Sequence, residues 1–393
     1  MAVIGVGMHP FGRFPEKRLP MLGAEAVLAA LGDAALRPSD IPIAYSATTQ
    51  AGMLAGQGIL REAGISGIPV TNVENGCASG SSAFREAYLA VASGRYDIAL
   101  AVGAEKLEQV VIPGMGRPDG ISREHLTQLL ELGEVMGYVE TVPEGHVGTV
   151  LMPGVFAMLA MEHMQRYGST VEHFARVSVK NHEHALANPN AHRRRRITVE
   201  DVLASRPISE PLTLYMCCPT GDGAAAVVLS SMEVARRHSR RPIRIAASAL
   251  ASAPYSSRDL ALMDVNSVSA NCAREAYAEA GLGPEDLDIV ELHDAFAPAE
   301  MLHYESLGLC AEGESGRLLD EGVTRLGGRL PVNTSGGLLA QGHPFGATGL
   351  AQVCELVWQL RGRAGERQVP GAKVGLAHCL GMSAACAVHI LTR

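Results

Sequence analysis

The chain has 393 residues, 47% of them hydrophobic, which suffices for two or three domains or for one large duplicated fold. Its formal net charge is −8, and only 4% of its residues are aromatic. This acidic, aromatic-poor composition argues against a nucleic-acid binder, so no nucleic-acid partner is expected.

Eight cysteines are present, but none forms a CxxC pair or a zinc-type spacing with histidine, so no metal site is expected. Residues 2–7 read as a first strand and not as the apolar part of a signal peptide. A reducing cytoplasm is therefore the simplest compartment, and we expect the chain to be cytoplasmic.

One stretch without Asp, Glu, Lys or Arg, residues 374–392, is long enough to cross a membrane. It contains two histidines and the small residues Gly381 and Ser383, which suit a turn. We interpret it as two strands joined by a turn, and we expect no membrane span.

An internal repeat appears when the chain is followed in order. After the first strand, residues 21–36 carry an Ala-rich helical pattern, and an LxPxD turn at 36–40 leads into another strand. The same order of helix, LxPxD turn and strand returns at residues 282–290. Strands alternating with helices indicate parallel sheet covered by helices on both faces, and the recurrence indicates duplication.

The stretch NGCASG, residues 75–80, is where we expect a nucleophile. Cys77 lies between an extended apolar segment, residues 68–70, and a helical pattern that includes Phe84 and Ala87. A cysteine at a helix N-terminus feels the positive end of the helix dipole, which predicts a lowered pKa. On this stretch alone, a buried structural cysteine remains the alternative.

The two halves are predicted at residues 1–110 with 206–240 and at residues 241–393, and an inserted loop domain is predicted at 111–205. The insertion region is rich in methionine, at Met115, Met136, Met152, Met158, Met161 and Met164. Methionine suits an adaptable apolar wall over an acyl chain, although ordinary helix packing explains it equally well. The run Arg193–Arg196 suits phosphate binding or a solvated loop face.

Three further stretches in the second half place reactive side chains after predicted strands. His293 follows residues 288–292, His343 follows the small-residue segment 332–342, and Cys379 follows residues 375–377. In open parallel sheets, binding sites form beyond the carboxyl ends of the strands, so these loops can converge with the Cys77 loop. Two cysteines and two histidines without metal spacing fit thioester acyl transfer coupled to making or breaking a C–C bond.

The motifs CASGS, HDAF, GGLLAQGHPFGATG and CLG, in this order, resemble the four catalytic loops of thiolases. The match covers essentially the whole chain and is similar to the thiolase domain of the sterol carrier protein-x type, in which the second motif begins with His, as His293 does here. The resemblance implies an α/β duplicated thiolase-like fold, with two mixed β-sheets sandwiched with helices in αβαβα layers, plus the inserted loop domain.

The resemblance also implies roles for individual residues. Cys77 resembles the residue that the substrate thioester acylates, and His343 resembles the base that makes Cys77 a thiolate. Cys379 resembles the acid/base that moves the proton at the α-carbon. The N–H groups of Cys77 and Gly381 resemble an oxyanion hole. His293 stands where other thiolases place an oxyanion-orienting Asn.

Two further positions resemble contacts with the pantetheine arm of coenzyme A, namely Phe296 and Cys218, where the family more often has Ser at the latter. One departure concerns the second cysteine. Members of the carrier-protein group often carry it in an HDCF motif, whereas this chain has Ala295 there and Cys379 in the last loop. The second cysteine is thus supplied by the other loop.

The predicted function is that of a thiolase, which cleaves a 3-oxoacyl-CoA with coenzyme A or runs the reverse Claisen condensation. Coenzyme A is expected as a substrate, with no permanently bound cofactor. The family implies a homodimer or homotetramer. Some thiolase-like proteins of this group work beside a small acyl-CoA-associated zinc-ribbon/OB-fold partner, and the sequence leaves that partner open.

Two alternatives remain at this point. One is a thiolase-like aldolase or a condensing enzyme, although aldolase relatives are expected to lose the nucleophile and ketoacyl synthases lack a cysteine like Cys379. The other is a non-catalytic acyl-CoA or lipid carrier subunit. A carrier would not need the four reactive side chains that this chain retains.

Overall fold

A computed structural model of the chain describes residues 1–107, 151–238, 242–253 and 265–393. Within these ranges the strands are β1 (Ala2–Gly12), β2 (Ala44–Ala47), β3 (Val70–Val73), β4 (Ile98–Lys106), β5 (Pro207–Ser209), β6 (Leu212–Thr213), β7 (Asp222–Ser230), β8 (Ile243–Ser252), β9 (Ile289–Glu291), β10 (Val374–Gly381) and β11 (Ala385–Thr392). The helices are α1 (Leu19–Ala34), α2 (Ala55–Glu62), α3 (Ser79–Ala92), α4 (Leu151–Tyr167), α5 (Val171–Ala185), α6 (Val199–Leu203), α7 (Met232–His238), α8 (Val265–Ala280), α9 (Ala297–Ser306), α10 (Ser315–Asp320), α11 (Gly337–Ala340) and α12 (Phe345–Arg361).

The main sheet of the described residues has nine strands in the order β3-β2-β4-β7-β1-β8-β11-β10-β9. In its first part, β2 is parallel to β3 and β4, and β7 is antiparallel to β4 and β1. Every residue of β7 is buried, as expected of a strand covered on both faces.

The second part of the sheet repeats this arrangement. Strand β9 is parallel to β10, and β11 is antiparallel to β10 and to β8. A parallel bridge between Val290 and Val332 takes the place of the β2–β3 pair. Short 3₁₀ turns at Pro38–Asp40 and Pro284–Asp286 correspond to the two LxPxD turns.

The two parts meet where β1 pairs antiparallel with β8, through Ala2 with Arg244 and Val3 with Ile243. The predicted mixed α/β class is therefore confirmed, and the two expected sheets are joined edge to edge by this short pairing. The predicted domain boundaries stay a prediction.

Two buried helices, α3 and α12, pack against each other at their N-terminal ends. A Cβ added to Gly80 would lie 2.6 Å from the carbonyl oxygen of Gly346, and one added to Gly349 would lie 2.1 Å from the Ser81 Oγ. Any larger residue at these positions would push the helices apart. The close approach brings together the two loops that precede the helices, which carry Cys77 and His343.

The described part of the insertion packs onto the second half of the chain. Phe156 of α4 and Phe174 of α5 share one hydrophobic core with Leu302 and Tyr304 of α9. Of the methionines, Met152, Met158 and Met164 pack against this core and Met161 is 42% exposed, while Met115 and Met136 lie outside the described residues. Met158 and Met164 are therefore examples of ordinary packing, whereas Met152 also lines the cavity described below.

No helix among the described residues is long and apolar enough to cross a membrane. The charge-free stretch 374–392 forms β10 and β11, joined by a turn, as predicted. It lies within the main sheet, where β10 pairs with β9 and β11 pairs with β8.

Candidate active site

Four segments meet at one end of the sheet. Cys77 lies two residues before α3, His343 lies two residues before α12, and His293 follows β9. Cys379 lies inside β10 and not in a loop after it, because the strand continues to Gly381. The structure thus brings together all four reactive side chains that the sequence singled out.

A cavity of about 240 Å³ opens in front of these residues. Cys77, His293 and His343 line it, and one side-chain donor atom from each lies within 4.8 Å of the other two. The remaining wall is largely apolar, with Met152, Phe156, Ala295, Phe296, Phe345 and Leu380 among its residues. The reactive groups therefore stand at the wall of an apolar cavity.

The tautomer of His343 is set by Thr348, five residues later in the first turn of α12. The Thr348 hydroxyl donates its proton to the carbonyl oxygen of Pro344, at 3.0 Å. It must then accept from His343 Nδ1–H, which lies 2.7 Å away. His343 Nε2 is buried and has no hydrogen-bond partner among the described residues, so it is left unprotonated as a base.

The surroundings of Cys77 favour its neutral form in the free protein. Burial raises the pKa of the Cys77 thiol well above its ordinary value, and Cys379 and Cys218 add to this, while the N–H of Met382 opposes it. Burial and the neighbouring His293 hold the pKa of His343 well below its ordinary value. The expected lowering of the Cys77 pKa is therefore wrong, because desolvation outweighs the helix N-terminus.

Cys379 lies behind Cys77 and is fully buried. Its Sγ is 3.0 Å from the carbonyl oxygen of Cys77 and 3.6 Å from Nδ1 of His293. Burial raises the pKa of Cys379 to about 12, so it is a thiol in the free protein and has a proton to give. The contact between Cys379 Sγ and Nδ1 also orients the ring of His293.

His293 presents one ring edge to Cys379 and lines the cavity with the rest of the ring. Its ring centre is 5.0 Å from that of His343, and its backbone N–H donates to His378 Nδ1 at 3.4 Å. Burial lowers the pKa of His293 to about 3, so the ring is neutral. The Cys379 thiol donates to the carbonyl oxygen of Cys77, and the His293 tautomer with its proton on Nε2 makes that nitrogen a donor toward the cavity.

Gly381 has a steric requirement at the end of β10. A Cβ there would lie 2.0 Å from the carbonyl oxygen of Asn75, so only glycine lets this segment approach the Cys77 loop. The next two residues, Met382 and Ser383, have positive φ values of 49° and 58°. This strained turn places the Met382 N–H against the Cys77 sulfur.

The two residues predicted to contact pantetheine both line the cavity. Cys218 is fixed by its N–H, which donates to the carbonyl oxygen of Ala295 at 2.9 Å. Phe296 stacks on Phe156 of the insertion, with ring centres 4.8 Å apart. Phe156 was not predicted as a site residue, since helical periodicity does not show which helix covers a distant loop, whereas Met152 is one of the methionines for which an apolar wall was considered.

Asp294 and Thr348 are two supporting residues that the sequence analysis missed. Asp294 is buried and accepts the N–H groups of Leu338 and Leu339 at 2.7 and 3.3 Å, which holds α11 and the segment leading to His343. Its position in the HDAF motif was the available signal. For Thr348, the signal was a hydroxyl one and a half turns after a candidate base.

The run Arg193–Arg196 divides into one structural residue and three exposed ones. Arg193 donates to the carbonyl oxygens of Cys217 and Leu339, at 3.1 and 3.4 Å. Arg195 lies over the ring of Tyr215, 4.8 Å from its centre. Arg193 thus holds the segment before Cys218 to α11, and the other three form a solvated face on which Arg196 pairs with Glu183 at 3.3 Å.

Two family models and several known proteins match this chain. The family model "Thiolase, N-terminal domain" matches residues 1–233, and "Thiolase C-terminal domain-like" matches residues 249–393. An acetyl-CoA acetyltransferase of Methanothermobacter thermautotrophicus is 41% identical over 100% of this chain and 99% of its own length. Sterol carrier protein 2 of Rattus norvegicus is 39% identical over 99% of this chain and 71% of its own length.

Among solved structures, a chain of an "Ltp2-ChsH2(DUF35) aldolase" superimposes with a TM-score of 0.82. It is 29% identical, and the match covers 100% of this chain and 97% of that one. These similarities confirm the predicted resemblance, the predicted fold class and the predicted acyltransferase activity.

Proposed function

Because the chain belongs to the thiolase family, a family of acyltransferases, we propose that Cys77 is its nucleophile and that His343, Cys379 and His293 assist it in separate steps. The observation that carries this proposal is the convergence of Cys77, His293 and His343 within 4.8 Å at an apolar cavity. Cys379 lies directly behind them.

The first step of cleavage would be proton transfer from the Cys77 thiol to His343 Nε2. The tautomer held by Thr348 leaves the Nε2 lone pair free for this proton. The Cys77 thiolate attacks the 3-keto carbon of a 3-oxoacyl-CoA, and the tetrahedral oxyanion is held by the N–H groups of Cys77 and Gly381. Substrate contacts replace the water that a thiolate would otherwise need.

The C–C bond then breaks, and its electron pair moves to the α-carbon of the leaving acyl-CoA. His293 Nε2–H stabilises the enolate oxygen, and Cys379 gives its proton to the carbon. Free coenzyme A afterwards gives its thiol proton to the Cys379 thiolate and takes the acyl group from Cys77. His343 returns the first proton to Cys77, so protons balance over the cycle and ping-pong kinetics result.

The cavity wall favours an apolar acyl group. Met152, Phe156 and Phe296 offer hydrocarbon and aromatic surface to a cavity of about 240 Å³. Coenzyme A would act as a substrate that enters past Cys218 and Phe296, and the reaction as written needs no permanently bound cofactor.

Assembly is part of the proposal as well. We propose a homodimer or homotetramer, as the family resemblance implies, working in the cytoplasm. The solved structure similar to this chain is named as a complex with a DUF35 protein. A small partner of that kind is therefore proposed as an optional second component that would present acyl-CoA to the cavity.

That same structure is named an aldolase, so aldol cleavage is the second candidate function. An aldolase would break a C–C bond without forming an acyl-enzyme. Cys77 and Cys379, both present at the site, favour the acyl-enzyme route. A carrier subunit would bind acyl-CoA and leave Cys77 unmodified.

The test is intact-protein mass spectrometry after incubation with acetoacetyl-CoA and longer 3-oxoacyl-CoAs, with Cys77→Ala in parallel. We expect an acyl adduct on the wild-type chain that free coenzyme A removes and that Cys77→Ala lacks. A 3-hydroxyacyl-CoA tested alongside is the substrate type that an aldolase would cleave, and its cleavage without an adduct would support the aldolase. Binding without cleavage, both alone and with a DUF35 partner added, would support the carrier.

A further inference from the structure

The active-site triplet consists of Cys77, His293 and His343, which reach the cavity from three separate loops. Because these loops are far apart in the sequence, their spacing does not resemble a zinc motif. The donor atoms nevertheless lie within 4.8 Å of one another. We propose that the active-site triplet is a binding site for Zn²⁺, or a similar thiophilic divalent cation, and that occupation inhibits the enzyme.

The donor set fits this class of metal. Zn²⁺ binds thiolate sulfur at about 2.3 Å and imidazole nitrogen at about 2.0 Å in tetrahedral geometry. Neighbouring ligand atoms in such a site are about 3.5 Å apart. Side-chain movements of about 1 Å would therefore bring the three donor atoms into position around an ion. One sulfur and two nitrogens favour zinc over magnesium or calcium, which prefer oxygen.

Each histidine has the outer contact that a metal-bound imidazole requires. His343 Nδ1–H donates to Thr348 at 2.7 Å, and its buried Nε2 has no hydrogen-bond partner in the part of the chain that the structure describes. His293 Nδ1 lies 3.6 Å from the Cys379 sulfur. With a proton on Nδ1 directed at this sulfur, Nε2 of His293 would be free for the metal.

Binding would follow a balanced exchange. The Cys77 thiol loses its proton to solvent, and the proton on His293 moves from Nε2 to Nδ1 through solvent. The cation then accepts one lone pair from each residue and keeps its fourth position open to the cavity.

Inhibition is the direct consequence, and this part rests on the proposed function. The metal would occupy the Cys77 lone pair that attacks the substrate and the His343 lone pair that accepts the proton. His293 distinguishes this chain from thiolases with Asn at this position, because an Asn side chain would remove one nitrogen ligand from the triplet. Zinc sensitivity should therefore depend on His293.

The test titrates the reduced, metal-free, full-length chain with Co²⁺ alone as a spectroscopic substitute for zinc. We expect a thiolate-to-cobalt charge-transfer band and the visible bands of tetrahedral cobalt, both abolished by Zn²⁺. Cys77→Ser should lose the charge-transfer band. His293→Asn should weaken binding about tenfold or more. Cys310→Ser, which changes a cysteine outside the cavity, is the matched control and should bind as the wild type does.

Circular dichroism would verify that both site variants are folded. Absence of tetrahedral cobalt in the wild-type chain, or equal binding by wild type, Cys77→Ser and His293→Asn, would overturn the proposed site. The acyl-adduct experiment, run with a chelator, separates the two proposals. Cobalt binding without any adduct would refute the thiolase mechanism and its inhibition but leave the metal site standing.

Discussion

The loops before α3 and α12 occupy equivalent places in the two halves of the molecule, yet one carries a nucleophile and the other a base. Each follows a small-residue turn and opens a buried helix, with Gly76-Cys77 in one and Gly342-His343 in the other. The helices meet through Gly80 and Gly349. Duplication thus gives two equivalent positions. A cysteine at one of them and a histidine at the other form the Cys–His pair.

The second cysteine and histidine break this symmetry. Cys379 and His293 both come from the second half, Cys379 within β10 and His293 two residues after the neighbouring strand β9. The first pair faces the cavity, whereas Cys379 is fully buried behind it. The site therefore combines one pair that crosses between the halves with one pair made within a single half.

The largest expected effect comes from removing the base that the second half supplies. His343→Asn should lower the rate of Cys77 acylation by about 10²–10⁴-fold, because general-base assistance is lost. Rapid-quench mass spectrometry of the acyl-enzyme measures this rate. An acylation rate within threefold of wild type would show that another group takes the proton.

The contact between the two central helices is the next target. Gly349→Ala should lower the free energy of unfolding by about 1–3 kcal/mol, because the new methyl group overlaps the Ser81 hydroxyl. Gly32→Ala is the matched control. An added Cβ at Gly32, in helix α1, meets no atom of the described residues within 4 Å, so this change should be neutral or stabilise by about 0.5–1 kcal/mol. Urea denaturation distinguishes them, and equal stabilities would contradict the packing.

Thr348→Val tests how the base is oriented. The substitution keeps the shape but removes the acceptor of His343 Nδ1–H, so both ring tautomers become available. Acylation should slow by about 10–100-fold, as is typical when the outer contact of a functional histidine is lost. Thr348→Ser should restore most of the rate, which a purely steric role would not explain.

The smallest effect is a pH dependence of the free enzyme. Burial keeps the pKa of Cys77 above its ordinary value, so the thiolate fraction should rise steadily from pH 6 to 9. Iodoacetamide labelling of Cys77, with a chelator present, should accelerate by roughly tenfold per pH unit over this range. A plateau beginning below pH 7 would instead reveal a preformed thiolate–imidazolium pair.

Local sequence patterns predicted where Cys77, His293 and His343 lie, because His293 follows a short apolar strand and the other two follow a glycine at the start of a helix. They could not predict the pKa of Cys77. That pKa depends on burial and on electrostatic interactions with Cys379 and Cys218, which lie far away in the chain. The expectation of a lowered pKa rested on the local field of the helix N-terminus and did not include this desolvation.

The roles of the side chains that support the site could not be predicted from local sequence patterns either. Asp294 was visible within HDAF, but its role of holding α11 requires the tertiary contacts with Leu338 and Leu339. Strand β10 also runs past Cys379 to Gly381, because pairing with β11 continues to Ala385. Long-range pairing and packing, which no local pattern contains, determine these features.

The most direct test of the division of labour between the two cysteines uses Cys379→Ala with two thioesters. Acetyl-CoA acylates Cys77 without any proton transfer at carbon, so the variant should still show the acetyl adduct by intact mass. Acetoacetyl-CoA requires a proton for its leaving carbon, so the variant should neither cleave it nor form an adduct from it. Acetoacetyl-CoA cleavage at a rate close to wild type, or failure of acetyl-CoA to acylate the folded variant, would contradict the assigned roles.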